Sequence, residues 1–230
     1  MKISYCVPVH NRTYDLRKAF PSIVKAANFS PPVEIVILNY DSFDDLEHYM
    51  LTEMWETKLE EKNTITYSVY YGKGYYHMAH ARNVSAKRSE GYYLVLSSAD
   101  IILPENFFLH IREHLKEDDY LWLRHPDRWV GVIAVQREEF MSAGGYDERF
   151  EFYGKEDKDL IKRLERRGGK WTTLSTRPII IPTPNEDKIK NYRLKLTKKD
   201  MGSRAKKIYY ENIKNKVLIA NEGKDWGSWD

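Results

Sequence analysis

Polar side chains with chemical potential gather at four places in this 230-residue chain, each where a short apolar run stops or a glycine turn leads into charged residues. Val7-Pro8-Val9-His10-Asn11-Arg12 sets a ring, an amide and a guanidinium at the end of the first apolar run, where Asn11 or Thr13 could equally cap a following helix. Leu38-Asn39-Tyr40-Asp41-Ser42-Phe43-Asp44-Asp45 puts acceptors and donors at the tip of the second, suited to the edge of a nucleobase or a ribose. Asp44 or Ser42 capping the next helix is the competing use. Ser97-Ser98-Ala99-Asp100 ends another run in a carboxylate, a hard oxygen ligand for a divalent ion that would neutralise a diphosphate. Standing alone, such an Asp is more often a turn or cap residue.

The fourth place is the richest. Gly144-Gly145-Tyr146-Asp147-Glu148-Arg149-Phe150 leads into Gly154-Lys155-Glu156-Asp157-Lys158-Asp159-Leu160, which places paired acids in the first turn of a helix. Acids there complement the helix dipole, as Arg163, Arg166 and Arg167 do at the other end. The same acids, fed toward a cleft by a glycine turn, suit a general base that must reach an acceptor hydroxyl.

These groups need elements to hold them. Ile3 to Val9 reads as a buried strand, Leu16, Phe20, Ile23, Val24 and Ala27 recur at helical spacing, and Val33 to Leu38 is the next strand. A helix over Asp44 to Lys58, a strand at Ile65 to Tyr71, a helix from His77 to Ser89 and a strand at Tyr92 to Ser97 continue the strand-helix rhythm of parallel crossovers. Beyond Asp100 the spacing predicts a helix from Pro104 to Leu115, strands at Tyr120 to Arg124 and Val130 to Gln136, a short helix from Arg137 to Ala143, a helix from Lys155 to Arg167, and last strands at Trp171 to Ser175 and Arg177 to Ile181. In such folds ligands collect at the C-terminal ends of strands, which directs attention to the residues after Val9, Leu38 and Ser97. From Asp187 onward Lys-rich helix formers with few apolar anchors predict a helical appendage. The expected division is therefore one domain over residues 1–186 and a basic helical extension over 187–230.

Composition narrows the function. Lys and Arg total 37 against 34 Asp and Glu, so the charge is nearly balanced and nucleic acid is not an expected partner. A single cysteine, Cys6, lies inside the first apolar run and reads as core. No apolar stretch approaches the roughly 20 residues that cross a bilayer, and the N-terminal run is too short for a signal-peptide core, so a cytoplasmic protein is expected. The scattered Ile189, Tyr192, Leu196, Ile208, Tyr209 and Ile213 within the Lys-rich tail fit a solvated helical face packed on the domain, or a peripheral contact with anionic lipid. Trp55, Trp122, Trp129 and Trp171 read as core residues before sugar-stacking ones. His77 and His80 lack the further ligands of a zinc site.

Taken together, Gly144 to Leu160, His77-Met78-Ala79-His80-Ala81-Arg82-Asn83 and Leu38-Asn39-Tyr40-Asp41-Ser42, in that order of specificity, resemble the GT-A glycosyltransferases, family 2-like enzymes whose C-terminal half carries a galactosyltransferase Gly-Gly-Tyr-Asp-Glu to Glu-Asp-x-Asp-Leu signature. The resemblance spans roughly residues 3 to 192 and implies an α/β fold with a Rossmann-like, mostly parallel mixed sheet flanked by helices. By that resemblance Pro8, His10, Arg12, Asn39 and Asp41 line the base and ribose pocket, Arg82 and Asn83 hold the nucleotide from the facing helix, and Ser98, Ala99 and Asp100 stand where the family has Asp-x-Asp. Asp100 then inherits the metal role for Mn²⁺ or Mg²⁺, and Asp157 with Glu156 falls on the catalytic base and acceptor contacts. The implied reaction moves a hexose from a UDP-sugar to a glycan or lipid-linked acceptor, with inversion, in polysaccharide or glycoconjugate synthesis. Two departures bear on the metal: Ser98 replaces the first acid, and Ile181-Pro182-Thr183-Pro184-Asn185-Glu186 lacks the late histidine that relatives supply. Lys73 or Arg82 could then meet the diphosphate instead. The same departures admit an alternative, an inactive glycosyltransferase-like protein that binds sugar nucleotides or glycans, against which stands the retention of Glu156 and Asp157.

Overall fold

The computed structural model describes residues 1–116, 119–125, 128–172, 178–192 and 196–229. Strand β1 (Ile3–Val9) is buried along its whole length, and so is β2 (Val33–Tyr40), which follows helix α1 (Thr13–Phe29). Strands buried on both faces read as continuous apolar runs, which is why these two were visible as runs and not as alternation. β2 pairs in parallel with β1 and with β3 (Thr64–Tyr70), and β1 pairs in parallel with β4 (Tyr93–Leu96). After β4 come β5 (Ile101–Ile102), α4 (Phe107–His114), β6 (Asp119–His125), β7 (Arg128–Gln136) and α5 (Arg137–Ser142). They are followed by α6 (Glu156–Arg166), β8 (Lys170–Thr172), β9 (Ile179–Ile180), α7 (Asn185–Ile189) and α8 (Lys198–Lys214). The seven-stranded sheet runs β3-β2-β1-β4-β7-β6-β8, with β7 antiparallel to both of its neighbours. Helix α3 (Met78–Lys87) returns the chain from β3, at one edge, to β4 on the far side of β1. The strand order therefore reverses between β1 and β4, and a crevice opens outside their C-terminal ends.

Local chemistry explains where expected boundaries moved. Between β2 and β3 the single helix expected over Asp44 to Lys58 is instead three short pieces: α2 (Leu46–His48), a wider π-helical turn (Tyr49–Glu53) and a 3₁₀ turn (Met54–Glu56). Leu46, Tyr49, Met50 and Met54 face the core, while Arg17 of α1 bonds both Asp45 and Glu53 and holds the two ends of the segment against α1. Asp44 caps no helix of its own; its carboxylate accepts from the Thr13 N–H and caps α1. His77 precedes α3 as its cap, its Nδ1 accepting from the His80 N–H. Of the last two expected strands, β8 covers only Lys170–Thr172 and β9 only Ile179–Ile180; residues 173–177 lie outside the described ones. Trp171, expected in the core, stands 48% exposed on β8, whereas Trp122 is buried; the side chains of Trp55 and Trp129 lie outside the described residues.

The basic C-terminal stretch is bonded to the domain at many points. Met201, Ala205 and Asn212 of α8 are buried, and Asn212 donates to Asp147 and Asp159. The chain after α8 doubles back: Ala220 N–H donates to the Ala143 carbonyl, Asn221 to the carbonyls of Gly144 and Tyr146, and Gly227 N–H to Glu148. The Gly144-Gly145 pair is shaped by these contacts. Both glycines have positive φ, a Cβ on Gly144 would strike the Ala220 backbone, and one on Gly145 would meet Asn83 Oδ1 at 2.5 Å and Trp226 at 2.7 Å.

Candidate active site

The crevice at the β1–β4 reversal is a cavity of about 330 Å³, within the range of small-ligand sites. Pro8, His10 and Arg12 line it from the end of β1, Ser98, Ala99 and Asp100 from the end of β4, Arg82 from α3, and Glu156 and Asp157 from the first turn of α6. Nine of the expected site residues thus share one wall system. The other three, Asn39, Asp41 and Asn83, are absent from that lining.

Each of the three is bonded to a neighbouring loop or turn. Asn39 accepts from the Ser42 N–H and donates to the Tyr67 hydroxyl, fixing the turn after β2. Asp41 sits in the left-handed region with its carboxylate on the Gly74 N–H, tying that turn to the loop after β3. Asn83 is fully buried and holds the Gly145-Tyr146 turn through the Tyr146 N–H and carbonyl and through Glu148. Short polar residues at strand ends serve as ligands or as knots, and only the packing separates the two uses.

Arg82 is 3% exposed; Nη1 donates to Asp157 Oδ1 at 2.5 Å and to the Tyr146 hydroxyl, Nη2 to the Gly131 carbonyl, and the buried Nε has no partner among the described residues. Burial opposes its charge, but Asp157 beside it outweighs that and carries the pKa well above the ordinary value. Burial also keeps Tyr146 a neutral phenol, which donates to Asp157 Oδ1. Asp157 is therefore held by two donors on Oδ1, while Oδ2 has no hydrogen bond among the described residues. The carboxylate is oriented, and one oxygen is left for a ligand.

Its neighbour Glu156 is 5% exposed, and Oε2 is buried without a partner. Burial first, then the charge of Asp157, push its pKa up to about 7. Glu156 thus stays protonated over part of the neutral range, which lets two adjacent acids share one helix turn without two full charges.

At the β1 side, burial lowers the His10 pKa, so the ring is neutral; Nδ1 donates to the Tyr40 carbonyl at 2.6 Å and the ring stacks on Tyr76 at 5.7 Å. Arg12 is paired with Asp15 and reaches the Thr183 hydroxyl. Asp100 Oδ1 takes a hydrogen bond from Ser98 at 2.6 Å. Among the described residues no three His, Cys, Asp or Glu side chains cluster as a complete metal site. One strand-end carboxylate and its hydroxyl neighbour fit Mn²⁺ or Mg²⁺ only if the remaining ligands come from water and a substrate's phosphates, an arrangement such hard ions commonly accept.

The sequence carried no role for Tyr76, Tyr153 and Lys158 and placed Tyr192 on the face of the basic tail, yet all four line the cavity. Asn191 and Tyr192, beyond the expected boundary at residue 186, close it from the segment after β9: the Asn191 carbonyl accepts from the Tyr76 N–H, and its side chain from Asn11. The aromatic spacing around Tyr75-Tyr76 and Phe152-Tyr153 was a signal, but these rings carry no motif that marks a cavity wall in sequence. Lys73, a candidate for the diphosphate, is not part of the lining. His77 and His80 are bonded to the Glu148 carbonyl and the Tyr40 hydroxyl.

A mixed, mostly parallel seven-stranded sheet with a cavity at its reversal point, bounded by the strand-end Ser98-Ala99-Asp100 and the α6 acids, defines the GT-A class of architecture. Comparison with known proteins agrees: residues 117–186 match the family model described as the N-terminal domain of galactosyltransferase. Among solved structures, the chain resembles S. aureus TarS in complex with UDP-GlcNAc, at 15% identity and a TM-score of 0.63 over 94% of this chain and 67% of that one. It also resembles the catalytic domain of Drosophila β1,4-galactosyltransferase 7 in complex with xylobiose, at 16% identity and a TM-score of 0.60 over 91% and 79%. A mannosyltransferase from Pyrobaculum calidifontis in complex with GDP-Man and Mn²⁺ matches at 17% identity and a TM-score of 0.62 over 75% and 54%. The chain thus spans about half the length of that enzyme. No curated protein sequence matches significantly. Among the described residues no helix is long and apolar enough to cross a membrane.

Proposed function

We propose that the chain is a sugar-nucleotide-dependent glycosyltransferase that moves a hexose from a nucleoside diphosphate to an acceptor hydroxyl with inversion. The observation that carries this is Asp157, a carboxylate fixed through one oxygen by Arg82 and Tyr146, with the other unbonded among the described residues, on the wall of a cavity at the strand reversal. In this reading Asp157 Oδ2 takes the proton of the acceptor hydroxyl as its oxygen bonds the anomeric carbon. The bond from that carbon to the diphosphate breaks, and the nucleoside diphosphate leaves with the electron pair. Arg82 acts as the positioning partner of Asp157 through Nη1, with Nη2 on the Gly131 carbonyl and Nε without a hydrogen-bond partner among the described residues.

Asp100 and Ser98 would hold a Mn²⁺ or Mg²⁺ ion together with the donor's phosphates, and the ion when bound would neutralise the departing diphosphate. Arg12, Lys155 and Lys158 are the other positive groups on the lining able to face that charge. UDP is the preferred nucleotide on the strength of two similar structures: the S. aureus protein in complex with UDP-GlcNAc and a Drosophila β1,4-galactosyltransferase 7 mutant in complex with manganese, UDP-Gal and xylobiose. The pathway in view remains glycoconjugate or polysaccharide synthesis.

Purified protein titrated with UDP, GDP and their sugars, in Mn²⁺, Mg²⁺ or EDTA, tests this. Binding of a nucleotide with slow hydrolysis of its sugar conjugate is expected, and in Asp157→Asn the binding persists while turnover falls roughly 10²–10⁴-fold. Absence of nucleotide binding under every condition would sink the proposal. Binding without turnover for any donor, wild type included, would favour a binding protein with no catalysis.

A further inference from the structure

Beside the Asp157 carboxylate lies a group of cations, three of which, Lys155, Lys158 and Lys206, meet no acid among the described residues. Lys155 and Lys158 flank Asp157 and line the cavity, and Lys155 enters α6 from a left-handed backbone conformation. The Lys155 ammonium lies over the Tyr209 ring of α8 at 5.6 Å, and Lys206 stands three residues before Tyr209, on the same helix face. Arg204, from the same helix, covers the Phe152 ring, and Lys198 covers Tyr153, which also lines the cavity. The two cations deeper in the site are paired, Arg12 with Asp15 and Arg82 with Asp157. Lys155, Lys158 and Lys206 have no ion pair among the described residues.

We infer that the acceptor sugar carries an anionic group, a phosphate or a carboxylate, received by Lys155, Lys158 and Lys206; this rests on the reading of Asp157 as the base. Two elements distant in sequence, the N-terminal end of α6 and helix α8, bring these like charges together beside a cavity, where their repulsion is relieved when an anion binds. Burial, then the charges of Lys158 and Lys206, lower the Lys155 pKa. Lys158 is exposed and Lys206 lies outside the cavity lining, so the charge runs from the base out to solvent, the route along which a growing acceptor must leave.

The test is an NMR amide-shift titration of the full chain, saturated with UDP, against two probes: methyl glucoside and its 6-phosphate. The phosphate ester should shift the amides of Lys155, Lys158 and Lys206 and bind at least ten-fold more tightly than the neutral sugar. That preference should vanish in the double variant Lys158→Glu/Lys206→Glu and return in Lys158→Arg/Lys206→Arg. Equal affinity for the two probes, or shifts that map elsewhere, overturns the inference. Competition between the phosphate ester and UDP overturns it in favour of the donor's diphosphate. Capture of wild type but not the double variant by phosphatidylglycerol vesicles, with neither soluble probe bound, overturns it in favour of a lipid surface. The UDP titration, run first, reports separately on the glycosyltransferase reading: no UDP binding defeats that reading, while the ratio between the probes still reports on the lysines.

Discussion

Asp157 and Glu156 are adjacent in sequence, yet their surroundings give them different work. Asp157 has Arg82 and Tyr146 on one oxygen and is 17% exposed, whereas Glu156 is buried with an oxygen that meets no donor. Because the folded-state pKa of Glu156 is raised from 4.5 to about 7, the folded protein keeps a proton that the unfolded chain has released between those values. Stability is therefore greatest, as far as this group is concerned, below pH 4.5, and is lost as pH rises toward 7. The loss is on the order of 3 kcal/mol at most. Glu156→Gln should raise the Tm at pH 8 by several degrees and leave it unchanged near pH 4.5, as thermal denaturation across that range would show. An equal Tm for the two proteins at pH 8 would mean that Glu156 carries no such cost.

Helix α3 and the Gly144-Gly145 turn form one unit at the scale of elements. His77 caps α3, His80 bonds Tyr40, and Asn83 grips the turn. Burial first depresses both His77 and His80 to about 4. Each then contributes stability that is present above pH 6.5 and lost as pH falls through 4, the sign opposite to that of Glu156. Acid unfolding should begin in that window, and in Glu156→Gln it should be steeper, because the opposing slope is gone; urea midpoints at pH 7, 5.5 and 4.5 would measure it. At the turn, Gly145→Ala forces a side chain into a left-handed site against Asn83 and Trp226. A loss of roughly 2–4 kcal/mol is expected from strain and overpacking. A urea midpoint unchanged by that substitution would show that the turn relaxes freely.

The whole molecule is closed by its last thirty or so residues, which the Lys-rich composition made look peripheral. Asn212 satisfies Asp147 and Asp159, Arg163 of α6 is 1% exposed and bonds Asp159 and the carbonyls of Ala143 and Gly145, and Trp226 packs on Phe140. Removing α8 and the segment after it would leave Asp147 without one of its donors and Asp159 with only Arg163, and would uncover an apolar face over Leu160 and Leu164. A chain ending at residue 196 should be insoluble or lose cooperative unfolding by circular dichroism. Cooperative unfolding of such a chain at the wild-type Tm would show that the C-terminal stretch is an appendage in energy as well as in sequence.

The amino-acid sequence by itself determined the alternation of buried strands and amphipathic helices, and with it the class of sheet, because fully apolar runs such as Ile3–Val9 and the helical spacing of Leu16 to Ala27 are local signals. It also marked the strand ends and the α6 acids as the places for chemistry, and nine of those residues do share one cavity. Only the tertiary structure shows which strand-end polar groups line the cavity and which tie loops together. Asn39, Asp41 and Asn83 differ from Arg12 and Asp100 in their partners across the fold, not in their residue type. The same holds for Arg82, a nucleotide contact by resemblance and a buried partner of Asp157 in space, and for the tail, whose polar Asn212 and Asn221 anchor it through hydrogen bonds that no hydrophobic pattern registers. Periodicity reports burial of apolar surface; it is silent about which polar atoms find each other once the strands are side by side.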